Sequence, residues 1–456
     1  MALQEREVMD RQFARAMAPA SLLALALGMV SPAPANAQDA SISSSANGGT
    51  IVVTASGSRF AGAISSITYR SVQYIDIADH GREMQSALQL DGWGECYNPT
   101  EAGSVNDTNK MTSTSNLLSI SSTNNVLQTQ TQPAFWLAAF QQYGKPCNPY
   151  LPYPDNTVSQ AKNTTDVSNL IFRRTTSFYG AAIPNLLNVD VSWSFLDNHA
   201  STNIEASTAY LPATFNVFLT YDRASRTLTK VPATATGSST SLPVIIAQPN
   251  GLHSMGAFSP AIMTNPSNRY MAYFYFGTGP TPTAKWSCVF GESNISAGST
   301  YSYSCPTAVG TVDEVIAAIQ AYPVAGQTVT SMIPIFRFYK YPRHFLTQSY
   351  SEAANAGFSF ETTAFHLFPA GGAGYSALYR CYNSSSADRF VSTQSNCEGF
   401  TNEGVFGFAA TTQLPGTVPL YRFYRNSITD HLITVNYDEG AQNAYTYEGI
   451  LGYVAY

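Results

Sequence analysis

Phe-Arg-Phe-Tyr at residues 336–339 recurs as Tyr-Arg-Cys-Tyr at 379–382 and as Tyr-Arg-Phe-Tyr at 421–424, at offsets of 43 and 42 residues. Each copy continues with a basic residue, a short apolar run that ends in Thr or Ser, and then a glutamate. A period of this length indicates a supersecondary unit that cannot bury its own apolar face and is completed by its neighbours. We therefore expect three such units to close into a small module with pseudo-threefold symmetry.

The strands in each unit define the expected fold of this module. Strands that carry the aromatic-Arg motif, a further strand after a polar turn and a closing strand after the glutamate suggest about four short strands per unit. Three such units predict a β-trefoil-like domain over residues 331–456. The module also resembles a tandem aromatic repeat of unknown function that is appended to many exported bacterial and fungal proteins.

In that repeat family an Asp-His pair precedes the apolar run, and the third unit keeps it as Asp430-His431. The first unit has Arg343-His344 and the second has Asp388-Arg389, so three equivalent sites are not expected. The resemblance makes Asp430 and His431 sugar-binding candidates in an exposed turn. The structural alternative is that one arginine of each unit braces the module by pairing with a glutamate of its own or the next unit: Arg337, Arg380 and Arg422.

Residues 62–324 carry a strand pattern almost throughout. Runs such as 270–275 are rich in β-branched and aromatic residues, and Pro and Gly separate the runs at short intervals. The exception is a predicted helix at 312–320, for which Thr311 provides an N-cap followed three residues later by a glutamate. These features predict an all-β chain in which a large antiparallel sandwich is joined by residues 325–330 to the repeat domain.

The first 37 residues have the features of a signal peptide. Arg11 and Arg15 precede an apolar run at 21–27, and Ala-Asn-Ala at 35–37 provides small residues for cleavage. The apolar run is too short to span a bilayer, so we expect an exported protein in the periplasm, at the cell surface or outside the cell. Residues 38–61 are expected to form a flexible leader, either disordered or with one edge strand.

Cysteine usage and composition agree with export. Sequence proximity suggests three local disulfides, a pattern typical of an oxidising compartment. The expected pairs are Cys96–Cys147, Cys288–Cys305 and Cys381–Cys397. Only 11% of the residues are charged, the formal net charge is −6, and no Lys/Arg block occurs, which argues against a nucleic-acid partner. No metal or cofactor motif is present, so none is expected.

The densest group of polar residues lies between Asp79 and Gly103. Amide and charged side chains there can hydrogen-bond to sugar hydroxyls, and tryptophan rings offer flat apolar faces for a sugar ring. The alternative is structural, with Arg82 and Glu101 paired in a buried network and the tryptophans in the core. The sugar-binding candidates from this part of the chain are Arg82, Gln85, Trp93, Asn98 and Trp136.

The runs at 81–86 and 98–103 resemble secreted proteins with the galactose-mutarotase-like β-supersandwich. Similar runs at 210–213, 254–260 and 309–314 extend the resemblance over most of the predicted sandwich. The resemblance implies a sugar-sized groove and a His/Glu pair on one sheet that transfers protons on a sugar. The catalytic candidates are His199, Glu205, His253 and Glu101, and His80 joins the sugar-binding candidates.

We therefore expect an exported carbohydrate-interacting protein that binds extracellular or cell-surface polysaccharide. The sandwich would supply the main groove, and the repeat module would add avidity as a tether. One alternative is an enzyme, a sugar epimerase, lyase or glycosidase that uses the His/Glu set. A second alternative is a structural component of a surface layer or filament, which the low charge and the Tyr, Asn, Ser and Thr content favour and which would involve self-association.

Overall fold

The computed structural model describes residues 38–147 and 158–456. Strands dominate this part of the chain, every strand pair in it is antiparallel, and only four short α-helices accompany them. The prediction of an all-β sandwich-like fold is confirmed. The expected signal peptide lies outside the described residues. Within the described ranges, no helix has the length and apolar character needed to cross a membrane.

The strands before the repeat module are numbered in chain order. They are β1 (Ala40–Ala46), β2 (Gly49–Ala55), β3 (Ile64–Tyr69), β4 (Val72–Gln73), β5 (Gln85–Leu90), β6 (Pro99–Thr100), β7 (Asn116–Thr123), β8 (Val126–Gln132), β9 (Ala134–Phe135), β10 (Ile171–Phe178), β11 (Leu186–Ser194), β12 (His199–Pro212), β13 (Val217–Asp222), β14 (Thr227–Lys230), β15 (Ser238–Thr240), β16 (Val244–Ala247), β17 (Ser254–Ala257), β18 (Arg269–Phe276), β19 (Thr283–Ile295), β20 (Thr300–Ser304) and β21 (Thr307–Gly310). The helices are α1 (Pro260–Thr264) and α2 (Val312–Ala321).

These strands form three sheets. A ten-stranded sheet has the order β14-β13-β16-β17-β21-β11-β10-β8-β7, with β20 also paired to β11. A seven-stranded sheet has the order β15-β18-β19-β12-β5-β6-β9. A four-stranded sheet, β1-β2-β3-β4, completes this part of the chain.

The ten- and seven-stranded sheets contribute to one apolar core. Trp193 of β11 and Trp286 of β19 are fully buried in it, one from each sheet. Trp193 Nε1 donates a 2.9 Å hydrogen bond to Ser86 Oγ on β5, which links the two layers. Alternate residues of the strands point into the core, so the opposite face of each sheet is available to solvent or to a ligand. The three disulfides join the pairs expected from sequence order.

Residues 38–61 differ from the expected flexible leader. β1 and β2 form a hairpin, and β2 continues the sheet through β3. Ile51 and Val53 of β2 are fully buried in the main core. Asn47 and Gly48 form the turn with φ of 48° and 78°, the left-handed backbone that an Asn-Gly hairpin turn requires. The Ser-rich composition concealed this hairpin signal.

The repeat module contains three units, each with three strands and one short helical turn. Unit 1 comprises β22 (Ile333–Lys340), β23 (Arg343–Thr347), α3 (Tyr350–Asn355) and β24 (Ser359–Leu367). Unit 2 comprises β25 (Tyr375–Asn383), β26 (Asp388–Ser392), a 3-10 turn (Cys397–Gly399) and β27 (Thr401–Ala410). Unit 3 comprises β28 (Thr417–Arg425), β29 (Asp430–Thr434), α4 (Tyr437–Gln442) and β30 (Thr446–Ala455).

The described module has nine strands, so the expected four strands per unit and the β-trefoil built on them are not confirmed. A helical turn stands between the second and third strands of each unit. Ser349 begins the turn of unit 1 by accepting the Glu352 amide, and Asn436 begins that of unit 3 by accepting the Asp438 amide. N-cap side chains of this kind favour a helical turn over another strand.

Unit 1 packs directly against the sandwich. Rings of Phe338 and Tyr350 belong to the same buried cluster as Val312 and Ile316 of α2. The Asp313 carboxylate accepts hydrogen bonds from the Tyr350 and Ser351 amides at 2.6 and 3.0 Å, and it thereby caps α3 from the start of α2. Unit 1 is therefore anchored by apolar burial and by charge-assisted hydrogen bonds.

Candidate functional site

Two adjoining cavities of about 420 and 750 Å³ lie over one face of the seven-stranded sheet. Together they are called the groove here. Its residues come from β5, β12, β18 and β19 and from the connections around residues 79–82, 94–98 and 136–147. Both cavities are lined by Gln89, Glu95, Tyr143, Lys145, Glu205, Tyr210, Phe276 and Lys285.

A β-bulge in β12 explains why its polar residues meet in the groove. Glu205 and Tyr210 are an odd number of residues apart, so a regular strand would place them on opposite faces of the sheet. The pairing register of β12 shifts between Glu205 and Ser207, which adds the extra residue that restores a common face. Thr208 follows the shift and lines the same cavity.

Glu205 forms an ion pair with Lys285 of the adjacent strand β19. Lys285 Nζ lies 3.0 Å from both carboxylate oxygens of Glu205. It also lies over the rings of Tyr210 and Phe274, at 5.1 and 5.4 Å from their centroids. Burial acts to lower the pKa of Lys285, but Glu205 and Tyr210 outweigh it and raise that pKa above its usual value. The pair therefore presents a fixed ammonium and a fixed carboxylate to the groove.

Glu95 provides a carboxyl group in a different environment. It lies in a 3-10 turn, Gly94–Tyr97, which is the next element after β5. Burial raises the pKa of Glu95, and the 3.0 Å hydrogen bond that its Oε2 accepts from Asn98 Nδ2 only partly opposes this effect. The disulfide Cys96–Cys147 ties this turn to the segment that carries Tyr143 and Lys145. Two walls of the groove are thus held together covalently.

Asn98 leaves one polar atom unsatisfied in the wall of the groove. Its side chain is buried, and its Oδ1 has no hydrogen-bond partner among the described residues. A buried acceptor without a partner is uncommon in folded proteins and is a natural contact for a ligand donor.

Aromatic rings cover much of the remaining lining. Phe274 and Phe276 of β18 are almost parallel, with centroids 5.9 Å apart and planes 5° apart. Tyr210 stacks on Phe276 at 6.5 Å and 18°. Trp136 lines the smaller of the two adjoining cavities, and Tyr270 lines the larger one. The groove therefore combines flat apolar faces with charged and amide groups.

Five residues expected from the sequence line the groove: Arg82, Gln85, Asn98, Trp136 and Glu205. Arg82 is held by ion pairs of 3.1 Å to Asp76 and Asp79 and donates to the Thr281 carbonyl at 2.8 Å. Gln85 accepts the Ala102 amide at 3.1 Å. Both side chains are preorganised by protein contacts before any ligand binds.

The three histidines of the expected catalytic and binding sets do not line the groove. His199 contacts Asp91, with its Nδ1 3.0 Å from the carboxylate, and lies roughly 20 Å along β12 from Glu205 at strand spacing. His253 Nδ1 lies 3.1 Å from the Tyr74 hydroxyl. His80 is fully buried against the Arg59 carbonyl, at 2.8 Å. Burial lowers the pKa of His80 and of His253. The proposed His/Glu pairs are therefore not assembled.

Glu101 and Trp93 also lie away from the groove. Glu101 forms a fully buried bidentate pair with Arg174, at 2.9 and 2.7 Å, so it fits the structural alternative, although its partner is Arg174 rather than Arg82. Burial raises the pKa of Glu101 to about 7, against the opposing effect of Arg174. Trp93 contacts Lys162, whose Nζ lies 4.1 Å from the ring centroid.

Asp430 and His431 do not form one exposed site. Asp430 is fully buried and accepts from His344 Nδ1 at 2.7 Å and from the Tyr445 hydroxyl at 2.7 Å. His431 Nδ1 instead lies 2.5 Å from Asp388 of unit 2. His344 of unit 1 therefore pairs with the Asp of unit 3, and His431 of unit 3 pairs with the Asp of unit 2, so both pairs join units of the module.

The departures from the Asp-His pattern fall at one interface. The Asp position of unit 1 is Arg343, and the His position of unit 2, its expected partner, is Arg389. Arg343 instead donates to the Ser386 carbonyl at 2.8 Å, and Arg389 pairs with Glu403 at 3.2 Å. At the interface between units 1 and 2, arginines thus stand at both the Asp and the His position. The other two interfaces keep the Asp–His pair.

The brace alternative for the repeat arginines fits the contacts. Arg422 pairs with Glu448 of its own unit at 2.7 Å and with Glu398 of unit 2 at 2.5 Å. The second partner comes from the preceding unit, not the next one. Arg337 of unit 1 likewise pairs with Glu361 of its own unit and with Glu439 of unit 3. Arg380 of unit 2 pairs with Glu403 of its own unit and with Glu352 of unit 1.

Several groove residues were not among those predicted from the sequence. Glu95 stood within the polar stretch 79–103, and its position before a disulfide cysteine was the available signal. Lys285 gave no local signal, because its role depends on cross-strand contact with Glu205. The strand pattern of Tyr270, Phe274 and Phe276, at intervals of two and four residues, indicated a shared aromatic face but not what that face lines.

Comparisons with known proteins are limited in extent. No curated protein sequence matches this chain. Heparan sulfate lyase HepC from Pedobacter heparinus is a similar solved structure, 9% identical, with a TM-score of 0.30 over 71% of this chain and 40% of the lyase. A galactose mutarotase related enzyme from Lactobacillus acidophilus is 10% identical, with a TM-score of 0.32 over 60% of this chain and 99% of that enzyme. An alpha-galactosidase from Lactobacillus brevis is 7% identical, with a TM-score of 0.28 over 58% of this chain and 38% of that enzyme.

Similarities of this size do not support the transfer of a reaction or a ligand. The present chain spans less than half the length of the lyase. In sequence, residues 316–398 and 334–455 match a family model described as a domain of unknown function, DUF5648. The match covers the repeat module together with the end of α2, the helix on which unit 1 packs.

Proposed function

We propose that this is an exported carbohydrate-binding protein that holds a saccharide in the groove of the seven-stranded sheet. The observation that carries the proposal is the convergence of aromatic faces and fixed hydrogen-bonding groups on one open cavity system. Phe276 and Trp136 offer rings for stacking, and Glu205, Lys285 and Asn98 offer acceptors and donors. A sugar ring has apolar faces and a rim of hydroxyls, and it needs both kinds of contact.

The charges of the groove favour a ligand without a large net charge. Three acidic and three basic side chains line it: Asp79, Glu95 and Glu205, and Arg82, Lys145 and Lys285. Arg82 and Lys285 are each neutralised by a carboxylate at about 3 Å, so no strong field of one sign remains to attract a polyanion.

Export is supported by the three disulfides, which are typical of proteins that fold in an oxidising compartment. In this proposal residues 1–37 are the signal peptide, residues 62–324 form the saccharide-binding sandwich, and residues 331–456 form a repeat domain that tethers the protein to polysaccharide. The strands β1 and β2 extend the sandwich on its N-terminal side.

A glycan array with the intact protein tests the proposal. Trp136→Ala removes a ring from the groove, and Trp93→Ala is its matched control, because Trp93 lies outside the groove. We expect Trp136→Ala to weaken saccharide binding by about tenfold, in line with the loss of one stacked aromatic contact. Trp93→Ala should leave binding unchanged. Absence of any saccharide binding by the intact protein would overturn the proposal.

Catalysis is a second candidate, favoured by the two carboxyl groups of the groove. Glu205 forms an ion pair with Lys285 at 3.0 Å, whereas Glu95 has no such cationic partner at this distance among the described residues and burial raises its pKa. Paired carboxyls in contrasting environments are the usual arrangement for acid-base chemistry on a glycosidic bond. If the protein turns over a saccharide that it binds, Glu95→Gln should abolish turnover and preserve binding. His199→Ala and His253→Ala should leave turnover intact, since neither histidine reaches the groove.

A further inference from the structure

Three aromatic rings form a tight triangle in unit 1 of the repeat module. The centroids of Phe338, Tyr350 and Phe360 are 5.0, 5.2 and 5.2 Å apart. Tyr350 is only 2% exposed and Phe360 only 6%, because the triangle packs against the sandwich. An ideal Cβ placed on Gly251 of the sandwich would lie 2.9 Å from the Tyr350 ring, so this face is in close contact with another domain.

Unit 3 repeats the triangle without a covering partner among the described residues. The rings of Phe423, Tyr437 and Tyr447 occupy the corresponding positions, with all three centroid separations at 5.4 Å. Tyr437 is 44% exposed and Tyr447 is 43% exposed. Tyr421 adds a fourth ring, 5.3 Å from Tyr437. These four rings are called the unit 3 ring face.

The replacements between the two units change the chemistry of the face. Phe336 and Phe360 of unit 1 become Tyr421 and Tyr447 in unit 3, and Ser351 becomes Asp438. The unit 3 ring face thus keeps the ring positions but adds hydroxyl groups and a carboxylate. The centres of protein-binding surfaces tend to be depleted of charged side chains such as this carboxylate. Ring faces with adjacent hydroxyl, carboxylate and amide groups instead match a sugar ring.

We propose that the unit 3 ring face is a second saccharide-binding site, through which the repeat module holds a polysaccharide chain. This inference rests on the proposed function, and it moves the tethering site from Asp430 and His431, which join units, to Tyr437 and Tyr447. A sugar ring stacks on the open side of one of these two tyrosines and contacts the edge of the other, because their planes are 66° apart. Asp438 and Asn436, which are exposed at the start of α4, accept from and donate to its hydroxyls.

Preorganisation supports this assignment. Tyr437 and Tyr447 pack on Phe423, which is fully buried, and Gly440 of α4 allows the close approach of Phe423, because a Cβ there would meet the ring at 2.5 Å. The exposed rings are therefore held in place by a buried one before a ligand arrives. A rigid aromatic surface loses little conformational entropy on binding.

Retention on immobilised polysaccharides tests the inference with the full-length protein. Cellulose, chitin, xylan and pectin matrices are the probes, and the variants are Tyr437→Ala/Tyr447→Ala and Tyr437→Phe/Tyr447→Phe. Tyr341→Ala is the matched control, because Tyr341 is 80% exposed in unit 1 outside the triangle. We expect the alanine pair to reduce retention by about tenfold or more, the phenylalanine pair to reduce it less, and Tyr341→Ala to have no effect.

The outcomes separate this inference from the groove proposal. Saccharide binding on the soluble glycan array should persist in Tyr437→Ala/Tyr447→Ala, because the groove is intact. Unchanged retention of that variant, or retention of the intact protein on none of the four matrices, would overturn the inference. Array binding by the Tyr437→Ala/Tyr447→Ala variant, which keeps only the groove, decides the groove proposal. Light scattering provides a further check. If the alanine pair converts a dimer into a monomer, the ring face binds a second copy of the chain and the saccharide assignment is wrong.

Discussion

Unit 1 and unit 3 of the repeat module carry the same aromatic triangle at nearly the same spacing, but their surroundings differ. In unit 1 helix α2 and its neighbours cover the rings, whereas in unit 3 nearly half of Tyr437 and of Tyr447 remains exposed. Local sequence therefore determined the triangle in both copies. Whether it serves as core or as surface depended on where each unit lies relative to the sandwich.

Unit 2 shows a third solution at the same place. Cys381 occupies the position of Phe338 and Phe423, and its disulfide to Cys397 joins β25 to the 3-10 turn of the unit. The equivalent position of the repeat is therefore occupied by an aromatic ring in units 1 and 3 and by a disulfide-bonded cysteine in unit 2. The inter-unit contacts are more uniform, because an arginine of each unit pairs with one glutamate of its own unit and one of the preceding unit.

The largest expected effect comes from removing one ring of each triangle. Phe360→Ala should destabilise the protein by about 3 to 5 kcal/mol, because loss of this buried ring leaves a cavity in the core that unit 1 shares with α2. Tyr447→Ala should cost about 1 kcal/mol, because its ring is already partly in water. Urea unfolding followed by circular dichroism measures both free energies.

Tryptophan fluorescence sharpens this comparison, since all four tryptophans lie in the sandwich: Trp93, Trp136, Trp193 and Trp286. Phe360→Ala should also shift the fluorescence transition, because unit 1 and α2 share a core. Tyr447→Ala should leave that transition in place. Equal losses of stability for the two variants would contradict the difference in burial.

A smaller effect is expected from the cap that only unit 1 receives from the sandwich. Asp313→Ala removes the acceptor for the Tyr350 and Ser351 amides and should cost about 1 to 3 kcal/mol. Asp438→Ala in unit 3 is the control and should change stability by less than about 0.5 kcal/mol, because that side chain is exposed. Thermal unfolding of the two variants beside the wild type provides the measurement.

The smallest expected effect on stability comes from the arginine–glutamate ion pairs that join one unit to another. Hydrogen bonds from Arg422 lower the pKa of Glu398 from 4.5 to about 2 in the folded protein. Because the folded-state pKa lies below the unfolded value, the stabilisation is present above pH 4.5 and is lost as the pH falls from 4.5 towards 2. Solvent exposure of the pair limits its worth to about 1 kcal/mol.

Glu398→Gln should therefore reduce stability at neutral pH and flatten its decline in acid. Glu352→Gln, in the corresponding brace of unit 1, should act in the same direction, because Arg380 takes part in lowering the pKa of Glu352. Urea midpoints compared at neutral and acid pH test this. A steep acid decline that survives in both variants would assign the acid sensitivity to groups outside the braces.

Much of the fold was readable from the chain. The 42- and 43-residue offsets gave three units, Thr311 and Glu314 gave the capped start of α2, and cysteine proximity gave the disulfides. The β1–β2 hairpin was not predicted, although Asn47-Gly48 is a typical hairpin-turn sequence. The serines of β1 suggested a disordered segment, so the burial of Ile51 and Val53 was not expected. The number of strands per unit was overestimated, since the N-caps of the short helical turns were not recognised.

The groove was predicted in part. Arg82, Gln85, Asn98 and Trp136 come from one polar stretch and its partner segment, and the disulfide between these segments keeps them together. The histidines were expected in the groove but do not line it, because no local link holds them near Glu205. Residue type suggests chemistry, but His199 and Glu205 lie on one strand far apart, and no sequence period reports which face or end of a sheet carries a cavity.

The sequence by itself determined the all-β class and the three repeats, and it suggested the disulfide pairs, because these depend on spacing and on residue type. Only the tertiary structure decided that Glu205 meets Lys285 beside Glu95, that Glu101 is buried with Arg174, and that one triangle is core while another faces solvent. The physical reason is that such contacts join segments distant in the chain. Their free energy comes from burial and charge pairing across strands, which no local pattern encodes.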